Sequence, residues 1–163
     1  MTSFEKFHPV LTAHYTLDWL TQTPVKQIDD LFSQPVVTTV KAEQLPTAIL
    51  ETVKRVNRVM QKVMNGTELT WGITDSRSQI FIGIVTISGF QNNSGIGNLD
   101  FIVTQVAANS IGEVVERARQ FVSDHFDFER LQIQLTKQNN QVIDSLISKG
   151  FSQSAPLTFI IKL

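Results

Sequence analysis

Leu99-Asp100-Phe101-Ile102-Val103-Thr104-Gln105-Val106-Ala107-Ala108-Asn109-Ser110-Ile111-Gly112-Glu113-Val114-Val115-Glu116 changes its hydrophobic period halfway along. Leu99–Val106 is rich in β-branched and aromatic residues and reads as a strand. From Ile111 the apolar residues Val114, Val115, Ala118, Phe121 and Val122 step at helical intervals, so a helix follows the strand after a short turn. Leu131–Leu135 is a second strand. A strand, a helix and a strand in succession form a crossover, which sets Leu99–Val106 and Leu131–Leu135 parallel.

Upstream, His14–Leu20 alternates Tyr15, Leu17 and Trp19 with polar residues, as a strand does. Pro24 opens a short helix whose apolar face is Val25, Ile28, Leu31 and Phe32. Val36–Val40 is extended or a loop. Pro46 marks the start of a long helix carrying Ile49, Val53, Val56, Met60 and Val63, ended by Asn65-Gly66. Leu69–Asp75 and Gln79–Ser88 are strands joined through Ser76-Arg77-Ser78, and Gly83 marks a bulge in the second. Downstream, Val142, Ile143, Leu146 and Ile147 give a helix stopped by Gly150, and Leu157–Leu163 closes the chain as a strand. An antiparallel meander followed by a crossover predicts an α/β fold, a mixed sheet with helices on both faces.

The 163 residues suit one domain spanning 1–163. A hydrophobic fraction of 42% and a charged fraction of 18% are those of a globular chain. Fourteen basic against fifteen acidic residues give a net charge of −1, which removes the electrostatic argument for nucleic-acid binding. No cysteine is present, so disulfides, a thiol nucleophile and thiolate metal sites are excluded. Neither a signal-peptide core nor a membrane-length apolar run is found, and the expected location is the cytoplasm.

At this point the chain resembles the GNAT superfamily of N-acetyltransferases, in the branch of the ribosomal-protein N-terminal acetyltransferases. Tyr15-Thr16-Leu17-Asp18-Trp19-Leu20 is similar to the family's first strand, with Asp18 where Arg is frequent. Asp30-Leu31-Phe32-Ser33-Gln34-Pro35 resembles the segment after its first helix. Trp71-Gly72-Ile73 and Ile82-Gly83-Ile84 resemble its central hairpin, and Asn139 through Lys149-Gly150-Phe151 its terminal helix. The resemblance implies the GNAT acyl-CoA N-acyltransferase fold. It implies transfer of acetyl from acetyl-CoA, the cosubstrate, to a primary amine: a protein N-terminus, an amino acid or a small amine.

The resemblance also implies a site. Phe101, Ile102 and Val103 would supply a backbone N–H to the thioester oxygen. The turn and first helical residues, Asn109, Ser110, Ile111, Gly112, Glu113 and Val114, would hold the CoA pyrophosphate, since the first amides of a helix lack partners and its dipole favours an anion. Ser110 stands at the family's first glycine, Gly112 at its second, and Glu116 where Glu is frequent. The same residues admit a second reading. Ser110-Ile111-Gly112-Glu113 is a capping box, which closes a helix start without any ligand. Asp100 is the nearest carboxylate for a general base, against a solvated strand-end residue; Asp18 and Asp75 are the other candidates. Asn139 matches the family's Asn, which bonds CoA or a water, and equally suits a helix N-cap. Val142 replaces the family's Ser, and the single Tyr15 is remote, so the general acid has no evident owner.

Gly95-Ile96-Gly97 opens no helix and reads as a hairpin loop rather than a dinucleotide site. His8, His14 and His125 have no metal-ligand spacing. Lys54, Arg55, Arg58 and Lys62 form a solvated basic face. Two readings follow: an acetyltransferase, or a catalytically degenerate relative kept as a binding or regulatory module. A homodimer through a strand edge or helix face is compatible with either.

Overall fold

The computed structural model describes residues 2–163. Strands β1 (Val10–Leu11), β2 (Tyr15–Asp18), β4 (Leu69–Asp75), β5 (Phe81–Ser88), β6 (Ile96–Thr104), β7 (Arg130–Gln134), β9 (Thr158–Lys162) and β8 (Ser152–Ala155) lie side by side in that order. A further strand, β3 (Val36–Thr38), pairs with β6 off this path. All contacts are antiparallel except β6–β7, the pair the crossover predicts to be parallel. The helices are α1 (Val25–Phe32), α2 (Ile49–Asn65), α3 (Ile111–His125) and α4 (Asn140–Ser148).

Period-2 alternation divides the apolar residues between the two faces. Ile84 and Ile102 point to one side, where they pack with Leu20, Ile28 and Leu31 of the α1 side and Val56 of α2. Val85, Ile87, Leu99, Phe101 and Val103 point to the other, against Val114, Val115, Ala118 and Val122 of α3 and Val142 and Leu146 of α4. Each fully buried aliphatic or aromatic side chain here stabilises the fold by roughly 1.5–3 kcal/mol. Residues 2–11 lie along the edge of this second core. Phe4 and Phe7 pack with Phe90, Phe121 and Phe126, and Trp71 Nε1–H donates to Phe7 O at 2.8 Å.

The long helix begins at Ile49, three residues after Pro46, and ends on Gly66 in the left-handed region at φ 71°. The bulge lies beside Gly83: the β4–β5 register shifts between Ile73 and Thr74. Two expectations are corrected. β6 starts at Ile96, so Ile96 and Gly97 belong to the strand rather than to a loop. The chain's end is a hairpin, β8–β9, whose first strand is exposed throughout and so carries no apolar signal. No helix among the described residues is long and apolar enough to cross a membrane.

Candidate active site

β6 and β7 run together only for Ile96–Asn98 against Arg130–Gln132, and then part. On its other edge β6 pairs with β5 from Asn98 to Val103. A strand exposes every second residue's N–H and C=O to the same edge. Beyond Asn98, therefore, Phe101, Val103 and Gln105 present their main chains to the widening gap. That edge is filled by the chain itself. Val36, Val37 and Thr38 pair with Thr104, Val103 and Ile102. Thr39 N–H donates to Phe101 O at 3.0 Å, and Gln105 N–H donates to Pro35 O at 2.9 Å. Phe101 N–H donates to Thr39 Oγ1 at 3.0 Å. From the β7 side, Thr136 Oγ1 donates to Thr38 O at 2.8 Å. Pro35–Val40 is thus a strap laid into the fork of the sheet. It satisfies amides that would otherwise be orphaned.

Where the strands part, a cavity of about 600 Å³ opens, lined by Lys41, Ser88, Asn98, Asp100, Gln132 and Gln134 among others. Asn98 and Asp100 fall on the same face of β6 because they are two residues apart. Asp100 Oδ1 accepts from Thr39 Oγ1 at 2.6 Å. Burial pushes its carboxyl above the ordinary aspartate value, and the Thr39 hydrogen bond opposes this only in part. Asp100 is therefore not a solvated strand-end residue: it sits mid-strand and mostly out of water.

The other two carboxylates are held by the fold. Asp18 Oδ1 faces His8 Nδ1 at 2.7 Å and accepts from Trp19 N–H at 2.7 Å. Asp75 Oδ1 accepts from the amides of Arg77 and Ser78, both at 2.9 Å. The Ser78 amide is the main cause of its lowered pKa.

The turn into α3 is not the capping box that its sequence suggests. Gln105–Ser110 is a pair of tight 3-10 turns broken by a kink at Ala107 (φ −106°, ψ 18°), and Ile111 N–H at the start of α3 donates to Ala108 O. Ser110 has helical φ −74° and ψ −22° and makes no capping bond. There is no capping box, because Ser110 is itself helical, in the tight turn that leads into α3, and the Glu113 carboxylate is bonded elsewhere. Ser110 Oγ is buried without a partner. Glu113 turns away from the helix start. It accepts from Thr12 Oγ1 and from His14 N–H (2.9 Å), and lies 2.7 Å from His14 Nδ1. Gly112 faces α4: a Cβ there would meet Ser145 Cβ at 3.4 Å and Lys149 Cε at 3.7 Å. Both are ordinary van der Waals distances, so the packing against α4 would admit an alanine. Asn109 is exposed, while Ile111 and Val114 are buried.

Asn139 is the N-cap of α4: its Oδ1 accepts from Val142 N–H at 3.1 Å. It also lines a second cavity of about 600 Å³ on the outer side of the strap. Val142 is fully buried in the core. The structure brings Asp100 and Phe101–Val103 together at the fork, while Asn109–Val114 span the start of α3 and Asn139 caps α4. Sequence reading missed Thr39, Lys41 and Thr136. Their signal was the β-branched run Val36–Val40 behind Pro35, which suits a short edge strand. In this conformation the strap occupies the β6 edge beyond Asn98.

No protein-family model matches the sequence, and no curated protein matches it. Solved structures do match. A Vibrio cholerae protein assigned as a ribosomal-protein-serine acetyltransferase superposes with a TM-score of 0.80 at 13% identity, covering 100% of both chains. RimL, a ribosomal L7/L12 α-N-protein acetyltransferase in complex with coenzyme A, gives 0.77 at 11% identity over 96% of this chain and 98% of its own. The microcin C7 self-immunity acetyltransferase MccE, with acetyl-CoA and AMP, gives 0.73 at 10% identity over 93% of each. At these identities the likeness carries the architecture. The chain has the GNAT acyl-CoA N-acyltransferase fold.

Proposed function

We propose that the protein is an N-acetyltransferase that moves acetyl from acetyl-CoA to a primary amine held in the cavity at the fork of the sheet. One observation carries the reading: Asp100, a carboxylate desolvated enough to raise its pKa, faces a polar cavity where the parallel strands part. An amine reaches this cavity as an ammonium ion and must lose a proton before it can attack a thioester. Asp100 draws the cation in, and its raised pKa makes it the better proton acceptor. Ser88, Asn98, Gln132 and Gln134 offer hydrogen bonds to the rest of a small polar acceptor. Acetyl-CoA supplies the acyl group. Support for it comes from the fold, which is that of proteins solved with CoA or acetyl-CoA bound.

The filled β6 edge and the helical turn at Gln105–Ser110 favour a second reading, a GNAT-fold module that binds a polar ligand without acyl transfer. Thiol release from acetyl-CoA, measured with a panel of amino acids, peptides and polyamines, separates the two. The proposal expects amine-dependent release that Asp100→Asn lowers by at least tenfold. Absence of release with every amine leaves the module.

A further inference from the structure

The strap that fills the fork is built more like a removable part than like a strand of the core. Of Val36, Val37, Thr38, Thr39 and Val40, only Val37 is fully buried, while Val36 and Val40 are half-buried against the core on the α1 side. The strap is bordered by two cavities of about 600 Å³ each. The outer one, lined by Phe32, Leu45, Leu135 and Gln138 among others, gives it room to move into. Its inner edge is held by main-chain bonds to β6 and by one side chain. Thr39 Oγ1 donates to Asp100 and accepts from Phe101 N–H. Its outer edge has Thr136 on Thr38 O. A short segment with one fully buried side chain, held chiefly by hydrogen bonds along its edges, opens at a free energy below that of global unfolding.

We propose that Pro35–Val40 is a gate: laid down, it closes the β6 edge to the acyl donor, and lifted, it exposes the amides of Phe101, Val103 and Gln105 to it. This rests on the acetyl-transfer reading, because it is the donor whose amide-bearing arm and thioester oxygen need those groups. Thr39 is the latch. It joins the gate to the carboxylate of the acceptor cavity, so one side chain touches both halves of the site. With the gate mostly down, the apparent donor affinity is reduced by the fraction of molecules that are open.

A disulfide tests this, and the chain has no cysteine of its own to interfere. Bonds from Thr39 to Phe101 and from Gln105 to Pro35 mark the odd-numbered residues of β6 as the hydrogen-bonded positions. Val36 and Thr104 are therefore a non-hydrogen-bonded pair, with Cα atoms about 4.5 Å apart, within disulfide reach. The doubly substituted protein, Val36→Cys with Thr104→Cys, is titrated with acetyl-CoA calorimetrically, oxidised and reduced. Circular dichroism verifies the fold of each. The gate predicts binding by the reduced form and at least tenfold weaker binding by the oxidised one. Thr39→Val, which removes the latch, should bind more tightly than wild type. Equal binding by oxidised and reduced forms overturns the gate and leaves donor binding intact. If wild type, the reduced pair and Thr39→Val all fail to bind acetyl-CoA, the acetyl-transfer reading itself falls, and the gate with it.

Discussion

Thr39→Val isolates the latch without changing its shape. Valine has nearly the volume of threonine, so no cavity forms, but two hydrogen bonds go. The bond to the ionised Asp100 (2.6 Å) is worth about 1.5–3 kcal/mol, and the one from Phe101 N–H (3.0 Å) about 1 kcal/mol. Water in the adjoining cavity can re-pair Asp100, which brings the expected loss to about 2 kcal/mol near neutral pH. For a chain of this size that is a fall in Tm of roughly 4–8 °C. The loss should depend on pH. The folded-state pKa of Asp100 is raised, so ionisation of this group opposes folding, and stability is gained as pH falls through that pKa. Thr39 favours the charged form. Removing it raises the pKa further, so the gap between variant and wild type narrows once Asp100 is protonated in both. Urea unfolding at about pH 7 and about pH 4 measures this. A loss below about 0.5 kcal/mol near neutrality, or one identical at both pH values, refutes the coupling of Thr39 to Asp100.

Three further predictions concern the frame around the site. Gly83→Ala puts a Cβ 2.5 Å from Ile102 O and 3.0 Å from Val103 Cα, both backbone atoms of the neighbouring strand, and should cost more than about 2 kcal/mol in chemical denaturation. Gly112→Ala meets Ser145 Cβ at an ordinary 3.4 Å and gains helix propensity, so its stability should lie within about 1 kcal/mol of wild type; a larger loss would contradict the packing described. Glu113→Gln should flatten the pH dependence of Tm. His14 is raised by its hydrogen bond to Glu113, so its contribution is present below its unfolded value of 6.5 and fades as pH rises through the folded one. For Glu113, desolvation is outweighed by the bonds from Thr12 and His14, so its contribution is present above 4.5 and fades as pH falls. The pair stabilises most between those values, and an unchanged profile in the variant would show that it does not.

The crossover was legible because its two periods are unambiguous: a β-branched strand meets a helix with a full apolar face at Ile111, Val114, Val115, Ala118 and Val122. Asp100 was legible as the one acid of its strand; the base role given to it is the proposal made above. What was not legible depended on tertiary placement. Val36–Val40 reads as extended, but nothing in five residues says that they lie in the fork between β6 and β7. Ser110 and Glu113 have capping-box spacing, yet Ser110 itself has helical φ and ψ, in a tight turn that follows a kink at Ala107. Glu113 is drawn instead to Thr12 and His14, about a hundred residues away in sequence. β8 escaped notice because an exposed strand carries no apolar alternation.

Residue-resolved hydrogen exchange in the native state tests the account most directly, because it asks whether the strap is a separate unit of the fold. The amides of Thr39 and Gln105, bonded to Phe101 O and Pro35 O, should exchange together through an opening below global unfolding, and acetyl-CoA should shift that opening. If both amides exchange only when the whole molecule unfolds, with and without acetyl-CoA, the strap is part of the core and the path to acyl transfer is closed.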